Sequence, residues 1–175
     1  MKTLKQVLFA FVAILCLNIA LPAPYIKAQT NKTGFRDKKP VHQTIYFVTK
    51  VIDGDTFWVQ DISGNEIKVR MIGIDAPELK KTNRKEVGRF ARESKNYLSK
   101  LILRKKIYLK FDIGKSDQYR RTLAYVYLPN GTFVNEKMVR EGYATVMTVP
   151  PNVKYSGKFL ILQQQARNSR RGLWR

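Results

Sequence analysis

A chain of 175 residues has room for one globular domain and a short extra segment, and its 44% hydrophobic and 26% charged residues exclude wholesale disorder. Its 33 Lys and Arg against 13 Asp and Glu leave a net charge of +20, a field that draws polyanions such as nucleic acid, anionic lipid or cell-wall polymer. A basic surface that serves only solubility is the plainer alternative, and one His with one Cys argues against a zinc or iron centre.

The first 28 residues read as a signal peptide. Lys2 and Lys5 precede an apolar run from Val7 to Leu21, followed by Pro22, Pro24 and a small-residue cleavage position ending at Ala28. The run is shorter than the roughly 20 residues of a bilayer span. A cleaved signal and a secreted protein are therefore expected, with an uncleaved membrane anchor as the alternative. Cys16 lies inside the run and lacks the small residue just before it that lipid modification requires. Loss of residues 1–28 would remove Lys2, Lys5 and Lys27 and no acid, lowering the net charge from +20 to +17 and leaving a cysteine-free chain.

Residues 29–40 are polar and contain Asn31, Gly34 and Pro40, the composition of a linker, so the folded domain is expected over 41–175. From there β-branched residues recur with period two. Strands are expected over Thr44–Val51, Thr56–Gln60 and Glu66–Ile74, the last two joined by a turn at Asp61-Ile62-Ser63-Gly64-Asn65. Val87, Phe90, Ala91, Ser94, Tyr97, Leu98 and Leu101 recur at steps of three and four, predicting an amphipathic helix. Two more strands follow at Ile107–Phe111 and Thr122–Leu128, then a turn at Pro129-Asn130-Gly131. Asn135 reads as the cap of a short helix closed by Gly142, and a last helix is expected from Lys158 to Arg171 with Gly172 as its stop. Five short strands with a helix after the third and two helices at the end make an α+β fold, a five-stranded OB-type Greek-key β-barrel with three α-helices.

The chemistry is concentrated near the strand ends. Asp55 follows Asp53-Gly54, and Asp75 precedes Ala76-Pro77; each alone is an ordinary turn former. Together, with a turn carbonyl such as that of Ala76, they offer the hard oxygen ligands that suit Ca²⁺. Arg70, inside the apolar run Val69–Ile72, is either the outward half of an alternating strand or an anion clamp. Arg121 opens a later strand, and two guanidinium forks can each make bidentate bonds to one phosphate. Glu78, just after Pro77, is either a helix-dipole partner or a carboxylate placed to orient or deprotonate a water. Tyr119 suits either a nucleotide phosphate or packing at a strand edge, while Trp58 and Trp174 read as packing anchors.

Four strings carry a resemblance. They are Ile52-Asp53-Gly54-Asp55-Thr56, Arg70-x₄-Asp75-x-Pro77-Glu78, Asp117-x-Tyr119-x-Arg121-x-Leu123-Ala124-Tyr125-Val126-Tyr127, and Val134-Asn135-Glu136-x-x-Val139-Arg140-x-Gly142. In this order they resemble the staphylococcal nuclease (thermonuclease) family over roughly 41–175. The resemblance implies that Asp55, Asp75 and the Ala76 carbonyl bind Ca²⁺, with Asp53 supporting them from behind, and that Arg70, Glu78 and Arg121 are catalytic. It also implies hydrolysis of DNA and RNA to 3′-phosphorylated ends, with Tyr119 and Gln118 on the substrate. The chain departs from the family pattern in three places. Arg120 replaces a usual Gly, Gln118 replaces a phosphate-touching Lys, and Met147 and Val149 hold places where relatives carry two tyrosines.

The expected protein is a secreted, monomeric, Ca²⁺-dependent endonuclease with no protein partner, acting on single-stranded or frayed nucleic acid because an OB-type groove takes an unpaired strand. The alternative is a non-catalytic OB-fold module binding single strands or an anionic surface, which explains the charge but needs neither Asp75 nor Glu78.

Overall fold

The computed structural model describes residues 44–79 and 90–175. The signal peptide and linker expected over 1–28 and 29–40, with Cys16, lie outside the described residues, as does Val87. No helix among the described residues is long and apolar enough to cross a membrane.

In chain order the elements are β1 (Ile45–Val51), β2 (Thr56–Gln60), β3 (Glu66–Met71), β4 (Ile74–Asp75), α1 (Ala91–Ile102), β5 (Lys106–Lys110), β6 (Thr122–Tyr127), α2 (Val134–Arg140), β7 (Thr145–Val146) and α3 (Ser156–Asn168), followed by a 3₁₀ turn at Gly172–Trp174. Five strands close into a barrel in the order β1-β2-β3-β6-β5, with β5 pairing antiparallel to β1 and β3 pairing parallel to β6. This is the OB-type α+β fold expected from the strand pattern; closure leaves the barrel without an unpaired edge.

Local chemistry sets each turn. Val48 and Val51 are both buried although three residues apart, because the β1–β2 register shifts between Val48 and Lys50. The β2–β3 hairpin is fixed by Asp61: its Oδ1 accepts the Ser63 and Asn65 N–H groups at 2.8 and 2.9 Å. Phe57, Val59, Val69, Ile107 and Val126 fill the interior with no exposed surface, and Leu98 and Ile102 of α1 are equally buried.

Three expectations need correction. The strand read as Glu66–Ile74 breaks after Met71, because Gly73 adopts φ +78° and turns the chain off the barrel; β4 then pairs with β7 instead. Gly73 also faces the Phe159 ring, which a Cβ would meet at 2.7 Å. Asn135 does not cap α2: Phe133 holds that position, and Asn135 is fully buried. Its Oδ1 accepts the Val126 N–H at 2.9 Å and its Nδ2 donates to the Ile72 carbonyl at 2.9 Å, tying α2 to β6 and to the corner between β3 and β4. The last helix begins two residues earlier and ends three earlier than its apolar pattern indicated.

Candidate active site

The barrel aligns the charged residues on one rung. Thr56 of β2 pairs with Arg70 of β3, which pairs with Leu123 of β6. Asp55 stands one residue before Thr56. Arg121 stands two before Leu123, in the turn that leads into β6. The β3–β4 corner carries Asp75 back toward the same rung.

Arg70 is the hub. Its Nη1 lies 3.0 Å from Asp55 Oδ2 and its Nη2 lies 2.9 Å from Asp75 Oδ1. Nη1 also donates to the Met71 and Ile74 carbonyls at 3.1 and 2.9 Å. The guanidinium is therefore held on both sides of the corner it spans. Arg70 can be buried on a strand because three hydrogen-bond acceptors and the Asp55 ion pair satisfy a charge that an apolar wall alone would not.

Asp55 is buried among partners from its own loop and from the corner between β3 and β4. Its Oδ2 accepts the Ala76 N–H at 2.6 Å, and its Oδ1 accepts the Thr56 hydroxyl at 3.0 Å. Asp53 fixes the loop: its Oδ1 accepts the Asp55 and Thr56 N–H groups at 3.0 and 2.7 Å. Gly54 permits the close approach, since a Cβ there would meet the Ala76 Cβ at 2.6 Å and the Ser94 Cβ of α1 at 2.9 Å. Burial pushes the Asp55 carboxyl up to about 7; Arg70 opposes this, the Asp53 carboxylate adds to it, and the Ala76 N–H opposes it. Glu78 is half-buried beyond Ala76 and Pro77.

Arg121 belongs to a second network centred on Asp117. Its Nε lies 2.7 Å from Asp117 Oδ2, and its guanidinium carbon lies 5.4 Å from the Tyr119 ring centre. Asp117 Oδ1 accepts the Tyr119 and Arg121 N–H groups at 2.9 and 3.0 Å, so one carboxylate shapes the turn and aims the arginine. Burial raises the Asp117 pKa, but the Arg121 and Tyr119 bonds outweigh it and hold the carboxyl below its ordinary value. Gln118 and Tyr119 are exposed on this turn, as are Met147 and Val149 after β7.

The structure thus joins Asp53, Asp55, Arg70, Asp75 and Ala76 in one cluster and places Arg121, Tyr119 and Gln118 in the adjoining turn. Sequence reasoning gave Thr56 and Asp117 no role of their own and read Asn135 as a cap. Asp117 carried a usable signal: an acid four residues before Arg121, with a turn between.

Among the described residues, no set of three or more His, Cys, Asp or Glu side chains lies ready to hold a metal ion. The expected ligands are only two carboxylates and one carbonyl, and their chemistry suits a hard cation. Asp55 and Asp75 both face the Arg70 guanidinium, and burial of Asp55 beside the Asp53 carboxylate resists its ionisation, an environment that an added positive charge would relieve.

A closed five-stranded barrel with the buried Arg70 guanidinium bridging two carboxylates at its corner defines a small OB-type protein. Residues 68–175 match the family model described as "Staphylococcal nuclease homologue". The chain is 37% identical over 133 residues to the thermonuclease of Staphylococcus hyicus, covering 76% of this chain and 77% of that one. It is 33% identical over 165 residues to the thermonuclease of Staphylococcus intermedius, covering 94% and 91%. The endonuclease YncB of Bacillus subtilis (strain 168) is 36% identical over 139 residues, 78% of this chain and 63% of that protein. The chain belongs to the staphylococcal nuclease family. It is a nuclease, a hydrolase acting on nucleic acid.

Proposed function

We propose that this nuclease is a secreted, monomeric, Ca²⁺-dependent endonuclease that hydrolyses DNA and RNA, preferentially single-stranded or frayed, leaving 3′-phosphorylated ends. The observation that carries the reading is Asp55: a buried carboxylate pushed up to about 7, beside Asp53 and across Arg70 from Asp75, is short of positive charge. Oxygens of Asp55, Asp75 and the Ala76 main chain would hold Ca²⁺. A bound ion there supplies charge neutralisation at the scissile phosphate and a polarised water. Glu78 would orient the attacking water or take its proton. Arg70 and Arg121 would stabilise the charge that builds on the phosphoryl oxygens. Arg121 also assists departure of the 5′ oxygen, which leaves phosphate on the 3′ end.

The proposal is tested by digesting denatured DNA with Ca²⁺ and then with chelator, beside Glu78→Gln and Arg121→Ala. Cleavage should stop in chelator and fall about 10²–10³-fold in each variant; undiminished cleavage in chelator or in both variants overturns it. Products should resist polymerase extension until treated with phosphatase. For export, mass spectrometry of the protein recovered from the medium should find an N-terminus just after Ala28, as the sequence pattern predicts.

A further inference from the structure

Among the described residues, every non-glycine position that leaves ordinary backbone space is an arginine. Among the described residues three non-glycine positions have positive φ: Arg104 at +57°, Arg120 at +60° and Arg170 at +48°. Glycine occupies that region freely and an L side chain does not, so each site keeps an arginine against the preference of its own backbone. All three side chains are exposed, and none has a described carboxylate partner.

Arg120 is distinguished by its place. The turn that holds it is tight: the Arg120 N–H donates to the Asp117 carbonyl at 3.0 Å and the Asp117 N–H donates to the Arg121 carbonyl at 3.1 Å. Asp117 locks this geometry through its side chain, so the left-handed conformation is imposed on whatever residue stands at 120. The next residue is Arg121, whose Nε is already engaged by Asp117. Two consecutive Cα atoms stand about 3.8 Å apart, and Arg120 carries a second charge beside the first without a partner of its own.

We propose that Arg120 is a substrate-binding residue that grips a phosphate of the polynucleotide neighbouring the one at which cleavage occurs. The inference rests on the reading of Arg121 as a residue at the scissile phosphate. It gives the turn two adjacent cations for successive phosphates of one strand, so long strands gain more from it than a single diester does.

The experiment is binding of a fluorescently labelled single-stranded DNA oligonucleotide in chelator, where no cleavage is expected, followed by anisotropy from low to moderate salt. Arg120→Gly should raise the unfolding midpoint, because it relieves the backbone. The same variant should weaken binding several-fold at low salt and reduce the slope of log Kd against log salt by about 0.7, the contribution of one phosphate contact on a single strand. Arg120→Lys should recover most of the affinity. Arg104→Gly, with the same backbone relief elsewhere, should gain stability and bind as before. Unchanged affinity and slope in Arg120→Gly, an equal loss in Arg104→Gly, or a fall in the stability of Arg120→Gly each overturns the proposal. If Glu78→Gln and Arg121→Ala cleave normally while Arg120→Gly still binds weakly, the active-site reading fails and the binding role stands.

Discussion

Replacing Asp55 with Asn should make the metal-free protein more stable while abolishing its response to Ca²⁺. Burial moves the Asp55 carboxyl from 3.8 to about 7 in the folded chain. Because the folded value lies above the unfolded one, the stability held by the protonated form is fully present below pH 3.8 and is lost as pH rises through about 7. At 1.36 kcal/mol per pH unit that gap is worth at most about 4 kcal/mol at pH 8, a large share of the 5–15 kcal/mol of a typical domain. Asn fits the same contacts. Its Oδ1 can accept the Ala76 N–H and face Arg70, while its Nδ2 donates to the Thr56 hydroxyl oxygen in place of the bond seen now. Urea denaturation in chelator at pH 4, 6 and 8 should therefore show a gain for Asp55→Asn that is near zero at pH 4 and grows toward several kcal/mol at pH 8, with unchanged m. Asp55→Ala should not share it, because the Ala76 N–H would lose its acceptor. Saturating Ca²⁺ should raise the wild-type midpoint and leave Asp55→Asn unmoved. A gain of equal size at all three pH values would refute the reasoning, since it would not come from ionisation.

Asn135→Leu should cost about 2–6 kcal/mol in the same denaturation assay, as it strands the buried Val126 N–H and Ile72 carbonyl. Activity should fall as well, because Ile72 lies in the corner between Arg70 and Asp75. Gly54→Ala should cost about 1–3 kcal/mol, since the new methyl collides with Ala76 and Ser94; steady-state kinetics should show a higher Ca²⁺ requirement. Asp117→Ala should lower kcat by about 10–100-fold through loss of Arg121 alignment. Asp117 has the opposite pH signature to Asp55. Its carboxyl is held low in the folded chain, so its contribution is present at neutral pH and lost as pH falls through that lowered value. The stability difference between wild type and Asp117→Ala should therefore shrink in acid.

The barrel was legible because its strands follow period two: β2 at Thr56–Gln60 fell where the alternation placed it, and β5 and β6 were each within one residue. The break at Ile72–Gly73 was not read, because apolar Ile72 and Ile74 continue the strand pattern and the reason for turning is Phe159, distant in sequence. Its one local sign was a glycine inside an apolar run. β7 has two residues, too few for any periodicity. Asn135 misled because an Asn before an apolar helical run signals a cap, whereas its partners at Val126 and Ile72 come from tertiary packing alone. Arg70 drew notice because a charge inside an apolar strand needs a reason. What the sequence left open was that Arg70 pairs with both acids, a consequence of the β4 turn that patterning did not show.

That pairing explains how one residue can serve two roles. Without a cation, Asp55 and Asp75 would repel across the corner, and Arg70 bridges them at 3.0 and 2.9 Å. It only partly offsets the burial of Asp55, whose carboxyl is still pushed up to about 7. The cluster is consequently a place where the fold gives up stability, and any cation that relieves it gains binding energy from that deficit. A cation that takes over the carboxylates would also release Arg70 from them, leaving it anchored by the Met71 and Ile74 carbonyls with a face to offer a phosphate. Arg70→Lys separates the two roles. A single ammonium can bridge or bind but cannot hold two carbonyls and two carboxylates at once. The variant should keep most of its stability with Ca²⁺ present and lose it in chelator, while cleavage falls about 10²-fold in both nucleic acids. Equal stability loss with and without Ca²⁺ would mean that Arg70 supports the corner alone, and that the carboxylates do not exchange one cation for another.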